Sequence, residues 1–195
     1  MDTNYPKIIK TDKKNKDQVK AVLKLGFSSD ALLRWVFPDA NSFLINFDLW
    51  MGEFSKKSFE NNIVFSEENF YGTSLWHPPG FKFDESVLYP TFESIPEDRL
   101  ENALKFFEEF SEYHPDDAWY LAFIAVDPSK QGLGIGSFLL KEALRMIDEK
   151  KEKAYLEASS LRNKSLYERH GFECIGAVQV GDSPTAYPMI RDSKN

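Results

Sequence analysis

Ile124-Ala125-Val126-Asp127-Pro128-Ser129-Lys130-Gln131-Gly132-Leu133-Gly134-Ile135-Gly136-Ser137 is the stretch that decides how this 195-residue chain folds. It begins as the end of Trp119 to Val126, in which nearly every residue is apolar or aromatic, and a strand apolar on both faces is one buried inside a sheet. Asp127 and Pro128 end that strand. After the glycine-rich turn, Ile135, Phe138, Leu139, Ala143, Met146 and Ile147 fall on one face of a helix reaching about Glu149. The absent glycine side chains let backbone N–H groups point into a small concavity where the helix begins. Those groups and the positive end of the helix dipole stabilise a phosphate or pyrophosphate, with Lys130 and Ser137 placed to add to it. Glycines alone are a weak signal, because a tight turn that needs positive φ selects the same residue.

Outward from this unit the pattern stays α/β. Towards the N-terminus, Tyr5 to Thr11 predicts a short first strand and Asp17 to Leu25 a helix with Val19, Val22 and Leu23 on one face. Ala31 to Phe59 predicts one or two amphipathic helices broken near Pro38. Ile63 to Phe65 and Phe70 to Trp76 predict a hairpin around Ser66 to Asn69, stopped by Pro78, Pro79 and Gly80. A Pro-punctuated loop then leads to a helix from about Glu97 to Tyr113. Towards the C-terminus, Ala154 to Ala158 predicts a strand and Asn163 to His170 a short helix closed by Gly171 and Phe172. Phe172 to Gly181 and Thr185 to Ile190 predict two last strands. No repeat, linker or low-complexity tract interrupts the chain, and one compact domain over 1–195 is expected.

Composition narrows the function classes. No apolar run approaches the roughly 18 residues of a membrane span, and Met1 to Lys20 is polar and lysine-rich, so a soluble, unprocessed protein with no membrane partner is expected. The single cysteine, Cys174, lacks a partner for a disulfide and the Cys/His spacing of a zinc site, which points to a reducing, cytoplasmic setting and no metal. A net charge of −7 opposes nucleic-acid binding and is compatible with a cationic substrate such as an amine.

Three phosphate binders compete for the glycine turn. A nucleotide-triphosphate loop requires a lysine before Ser137, and none is there. A dinucleotide fingerprint starting at Gly132 or Gly134 would find Ser137 or Leu139 at its third glycine, although Glu157 at the end of the next strand imitates its ribose-binding acid. The third is acyl-CoA. Ile124 to Gly136, with Gln131, Gly134 and Gly136 read as Arg/Gln-x-x-Gly-x-Gly/Ala, resembles the GCN5-related N-acetyltransferase (GNAT) family. Leu156-Glu157-Ala158-Ser159 and Asn163-Lys164-Ser165-Leu166-Tyr167-Glu168-Arg169-His170-Gly171-Phe172 resemble that family's second half, particularly its puromycin-acetyltransferase-like branch. The resemblance covers about Trp119 to Arg191; the N-terminal half matches loosely, chiefly in Gly72 to Trp76 and Pro78.

The resemblance implies a mixed, mostly antiparallel sheet flanked by helices, with splayed central strands. It assigns 117–191 to an acetyl-CoA-binding core and 1–116 to the acceptor side. Ile124, Ala125 and Val126 would pair through their backbone with the pantetheine amides. Gln131, Gly132, Leu133, Gly134, Ile135, Gly136 and Ser137 would hold the diphosphate, and Asn163 and Tyr167 would reach the cofactor. The implied reaction is direct attack of a primary amine on the acetyl-CoA thioester. An amine near pKa 10 must lose a proton first, and Glu157 is the candidate base, by way of a water. Tyr167, one helical turn after Asn163, is the candidate donor to the departing thiolate. Each has a structural alternative: Glu157 as an ion-paired strand end, and Tyr167 packed under Phe172. Trp35, Phe37, Trp50, Trp76 and His77 are candidate walls of an acceptor pocket, with core packing the commoner role for such clusters. His114 and His170 have no partner readable from the sequence. A silent acyl-CoA sensor and a nucleotide-dependent oxidoreductase remain open as rivals. The residues do not fix the oligomeric state, and a homodimer stays open.

Overall fold

The computed structural model describes residues 5–82 and 84–194. In chain order the elements are β1 (Ile8–Lys10), α1 (Lys16–Phe27), α2 (Ala31–Val36), α3 (Ala40–Glu60), β2 (Val64–Glu67), β3 (Gly72–His77), α4 (Tyr89–Phe92) and α5 (Glu97–Ser111). There follow β4 (Ala118–Val126), α6 (Ile135–Glu149), β5 (Lys153–Ala158), α7 (Leu161–Glu168), β6 (Glu173–Cys174) and β7 (Tyr187–Arg191). The seven strands form one sheet in the order β1-β2-β3-β4-β5-β7-β6, antiparallel throughout except for the parallel pair β4–β5. The mixed, mostly antiparallel sheet expected from the sequence is present, with β4 at its centre.

Local chemistry sets the helix boundaries. Asp30 caps α2 by accepting from the Leu33 N–H, and Asp39 caps α3 by accepting from Ser42, with Pro38 between them unable to continue a helix. Ser160 caps α7 by accepting from the Asn163 N–H. The helices cover both sheet faces. On one side α1, α2 and α3 bury Val19, Leu23, Leu33, Val36, Phe43, Phe47 and Met51 in one cluster with Leu75, Phe123 and Ala125. On the other, α6 buries Leu139, Leu140, Ala143 and Ile147 against Phe65, Trp76, Trp119 and Leu121. Full burial of each Val, Leu, Ile, Phe or Met side chain among them contributes about 2 kcal/mol relative to exposure.

Two irregularities of β4 shape the molecule. Leu75 pairs with Phe123 but Trp76 with Leu121, so Ala122 is an extra residue bulged out of the ladder. The bulge reverses the alternation: Trp119 and Leu121 face α6, whereas Phe123 and Ala125 face α1 and α3. The second is a splay. β4 pairs with β5 only through Ala118–Lys153, Trp119–Ala154 and Tyr120–Tyr155, and the two strands then run on unpaired to each other, to Val126 and to Ala158.

Some boundaries move. The first hairpin turns at Glu68–Tyr71, later than Ser66 to Asn69, because Glu67 accepts from the backbone N–H groups of Asn69 and Tyr71 and closes the turn beyond itself. Of the strand expected over Phe172 to Gly181 only Glu173–Cys174 and an isolated bridge, Val178 to Ala186, remain. Gly176 lies against the Tyr113 ring, and the chain leaves the sheet there to pack Val178 and Val180 on Phe106. The loop before α5 contains the short α4.

Candidate functional site

Where β4 and β5 part, a cavity of about 630 Å³ opens. Ile124, Ala125 and Val126 line it from β4, Gln131, Gly132, Gly134, Ile135, Gly136 and Ser137 from the turn into α6, Glu157 from β5, and Asn163 and Tyr167 from α7. These eleven binding candidates and Glu157 thus meet in one space. Leu133 is the exception: its side chain is 62% exposed and takes no part in the wall. It lies between two left-handed glycines, Gly132 at φ 82° and Gly134 at φ 80°, which turn its side chain to solvent and leave only its backbone available to the concavity.

Gly134 is the N-cap of α6 and provides no side-chain cap, unlike the carboxylate and hydroxyl caps of α2, α3 and α7. The first-turn N–H groups of Ile135, Gly136 and Ser137 have no acceptor within the helix, and the positive end of the dipole faces the cavity. The chemistry of that end is anion binding.

Asp30, Tyr120, Glu157 and Tyr167 bring titratable side chains to the lining, and His114 and Tyr155 stand behind them. The Glu157 side chain is 11% exposed and lies 3.8 Å from His114 Nδ1. His114 meets the rings of Tyr120 and Tyr155 edge-on, at 4.7 and 5.1 Å between centroids. Burial, and then the charge of Glu157, push both tyrosine hydroxyls up and keep them neutral. Tyr167 is buried, with its ring edge-on to Phe172 at 6.0 Å; burial first, then the charges of Asp30 and Glu157, raise its hydroxyl far above the usual phenol value. Packing and cavity lining therefore coexist at this residue. Asp30 accepts from Ser159 Oγ at 2.6 Å through one oxygen and from the Leu33 N–H at 3.0 Å through the other. Asn163 Nδ2 donates to the same Ser159 Oγ at 3.4 Å.

The outer wall, from α1, α3 and α5, is apolar, with Phe27, Trp50, Phe54, Phe107 and Phe110. Of the five aromatic residues singled out from the sequence, Trp50 alone reaches the cavity. Trp35 and Phe37 belong to the helical core, Trp76 packs under α6, and His77 is fully buried and stacked on Phe81 at 3.7 Å. His170, unassigned from the sequence, bonds Ser137 Oγ through Nε2 at 3.0 Å. Asp30 and His114 also went unread. Asp30 before an apolar run announces a cap, but its contact with Ser159 spans 129 positions, and that of His114 with Glu157 depends on strand placement.

Among the described residues, no group of three or more His, Cys, Asp or Glu side chains is arranged to hold a metal, and no helix is long and apolar enough to cross a membrane.

Residues 102–174 match the family model described as acetyltransferase (GNAT) domain. A Schizosaccharomyces pombe protein named as an uncharacterized N-acetyltransferase is 30% identical over 125 residues, a match that spans 56% of this chain and 50% of that relative's length. Among solved structures, a Corynebacterium glutamicum protein described as histone acetyltransferase HPA2 and related acetyltransferase superposes with a TM-score of 0.69 at 22% identity, covering 98% of each chain. Arylalkylamine N-acetyltransferase 2 of Aedes aegypti superposes at 0.66 with 12% identity, covering 98% of this chain and 100% of the other. At these identities the structural likeness shows a shared fold.

Proposed function

We propose that this chain, whose residues 102–174 match the acetyltransferase (GNAT) domain model, is an acyl-CoA-dependent N-acetyltransferase that acetylates a primary amine. One observation carries the reading: an uncapped helix start, built on two left-handed glycines, opens onto a cavity that lies in the gap between two parted strands.

The residues present fit coenzyme A. The turn from Gln131 to Gly136 offers backbone N–H groups to a diphosphate, and the β5-facing edge of Ile124 to Val126 offers N–H and C=O groups to the pantetheine amides. When bound, acetyl-CoA supplies an acetyl group activated as a thioester. On this reading 117–191 holds the cofactor and 1–116 supplies most of the acceptor wall. The puromycin-acetyltransferase-like branch is part of the same reading and rests on the resemblance of Leu156 to Ser159 and Asn163 to Phe172.

Glu157 is the proton acceptor for the incoming ammonium, through a water, in a site where its charge is largely withdrawn from solvent. Tyr167 keeps its proton across the working pH range, because its hydroxyl is raised far above 10. Full transfer from so weak an acid to a thiolate of pKa near 8.5 is uphill, so Tyr167 acts as a hydrogen-bond donor to the leaving sulfur. Asp30 and Glu157 attract a cationic amine, and the five outer aromatic side chains favour one carried on an apolar body, the chemistry named for the Aedes aegypti protein.

The test is thiol release from acetyl-CoA with a panel of primary amines, beside thermal shifts with CoA and with NAD(P). Stabilisation by CoA and release with an apolar amine are expected. Binding without release by any amine would make the chain an acyl-CoA sensor, and stabilisation by NAD(P) alone would overturn the reading.

A further inference from the structure

Glu157 faces two ways. It lines the main cavity, and one carboxylate oxygen also stands 3.8 Å from Nδ1 of His114, a residue outside that lining. The Glu157 side chain is 11% exposed and that of His114 31%, so the histidine is the solvent end of the pair. His114 sits in the connection from α5 to β4, where its backbone N–H donates to the Ser111 carbonyl. The Tyr120 and Tyr155 rings meet the imidazole edge-on from β4 and β5 and fix its plane. Asp116 in the same connection and His77 at the end of β3 also lie within its electrostatic reach. None of these four neighbours takes a proton near neutrality. Burial raises both phenols, which keep theirs; burial, then the charge of His114, holds His77 down at about 3; and the hydrogen bond from Lys82 lowers Asp116. Beside Glu157 that leaves the His114 imidazole, the kind of side chain that accepts and releases a proton between pH 5 and 8.

We propose that His114 is a proton relay for the acetyl transfer, carrying to bulk solvent the proton that Glu157 takes from the incoming ammonium; the inference rests on the base role given to Glu157 above. Cofactor and acceptor fill the cavity during turnover and close that way out, yet Glu157 must lose its proton before it serves again. The balance is simple. An N–H bond of the ammonium breaks and, by way of the water, an O–H bond forms on Glu157. That O–H bond breaks as Nδ1 of His114 gains the proton, and the imidazolium, paired with the restored carboxylate, gives a proton to a buffer base at its exposed side. A second amine proton ends on the departing thiol, so one proton is exported for each amide formed. At 3.8 Å the pair is too long for a hydrogen bond, a looseness common between proton partners before substrate binds.

The experiment is steady-state turnover of His114→Ala and His114→Gln with acetyl-CoA and an apolar primary amine, read as the amide product over enzyme-free controls, with thermal midpoints to confirm folding. In both variants kcat should fall on the order of tenfold while the KM for acetyl-CoA stays unchanged, because His114 lies outside the cavity. Added imidazole should restore kcat to His114→Ala in proportion to its concentration, by entering the slot between the two tyrosines. It should do nothing for the wild type or for His114→Gln, whose side chain fills that slot. An unchanged kcat in His114→Ala overturns the relay, and so does a loss that imidazole leaves in place, which would make the histidine a support for the strands. Should His114→Ala not fold, His114→Gln decides, since an undiminished kcat there overturns the relay as well. Glu157→Gln separates the two readings: full turnover in it removes the base and the relay together, whereas lost turnover beside an indifferent His114 removes the relay alone.

Discussion

Tyr167 carries two duties on one side chain: its ring closes the core beneath α7 against Phe172, and its hydroxyl lies in the wall of the cavity. Removing only the oxygen separates them. Tyr167→Phe should retain the fold and the CoA affinity and lower kcat about 100-fold, the usual cost of one donor to a developing anion. Steady-state kinetics beside calorimetry check this, and unchanged turnover would take Tyr167 out of the reaction. Because its hydroxyl is raised, the wild-type profile should show no alkaline limb from Tyr167 up to pH 9.5. Tyr167 and Asn163 stood out in the sequence through the family resemblance of their segment, and helical spacing puts them on one face. Asp30 and His114 did not, since their partners come from other elements.

At the level of elements, the approach of α1 to β4 is limiting. A Cβ on Gly26 would stand 2.5 Å from the Ala125 Cβ, so any larger residue there lifts the helix off the strand that forms the cavity floor. Gly26→Ala should cost about 2 kcal/mol of stability, as overpacking does, and weaken CoA binding along with it. Chemical denaturation and calorimetry measure the two effects, and a variant as stable as the wild type would show that α1 is free to shift. The strand–turn–helix unit at the centre was readable because its apolar run, glycines and helical stripe are all local. The bulge at Ala122 was invisible, since both faces of β4 are apolar and a reversal of alternation leaves no trace in the pattern. The penultimate strand failed for a related reason. Val178 and Val180 look like strand residues, yet their burial comes from Phe106 of α5, which no local window contains.

For the whole molecule the weak point is acid. His77 is fully buried, its two ring nitrogens lack hydrogen-bond partners among the described residues, and burial, then the charge of His114, push it down to about 3. The unfolded chain takes up that proton near pH 6.5. Between 6.5 and 3 the unfolded state therefore binds more protons, and stability falls as pH falls, by about 1.4 kcal/mol per unit. Above 6.5 the contribution is complete. His170, held at about 4 and only partly buried, adds a smaller loss of the same sign. The thermal midpoint should drop between pH 7 and 4.5, and His77→Phe should flatten that limb; an equally steep limb in the variant would clear His77. The splay between β4 and β5 bears on the whole molecule in another way. Only three residue pairs stitch one half of the sheet to the other. On the coenzyme A reading, a ligand chain laid into that seam would complete it as a borrowed strand, so abundance of the ligand would become mechanical stiffness of the protein, and scarcity would leave the halves free to breathe.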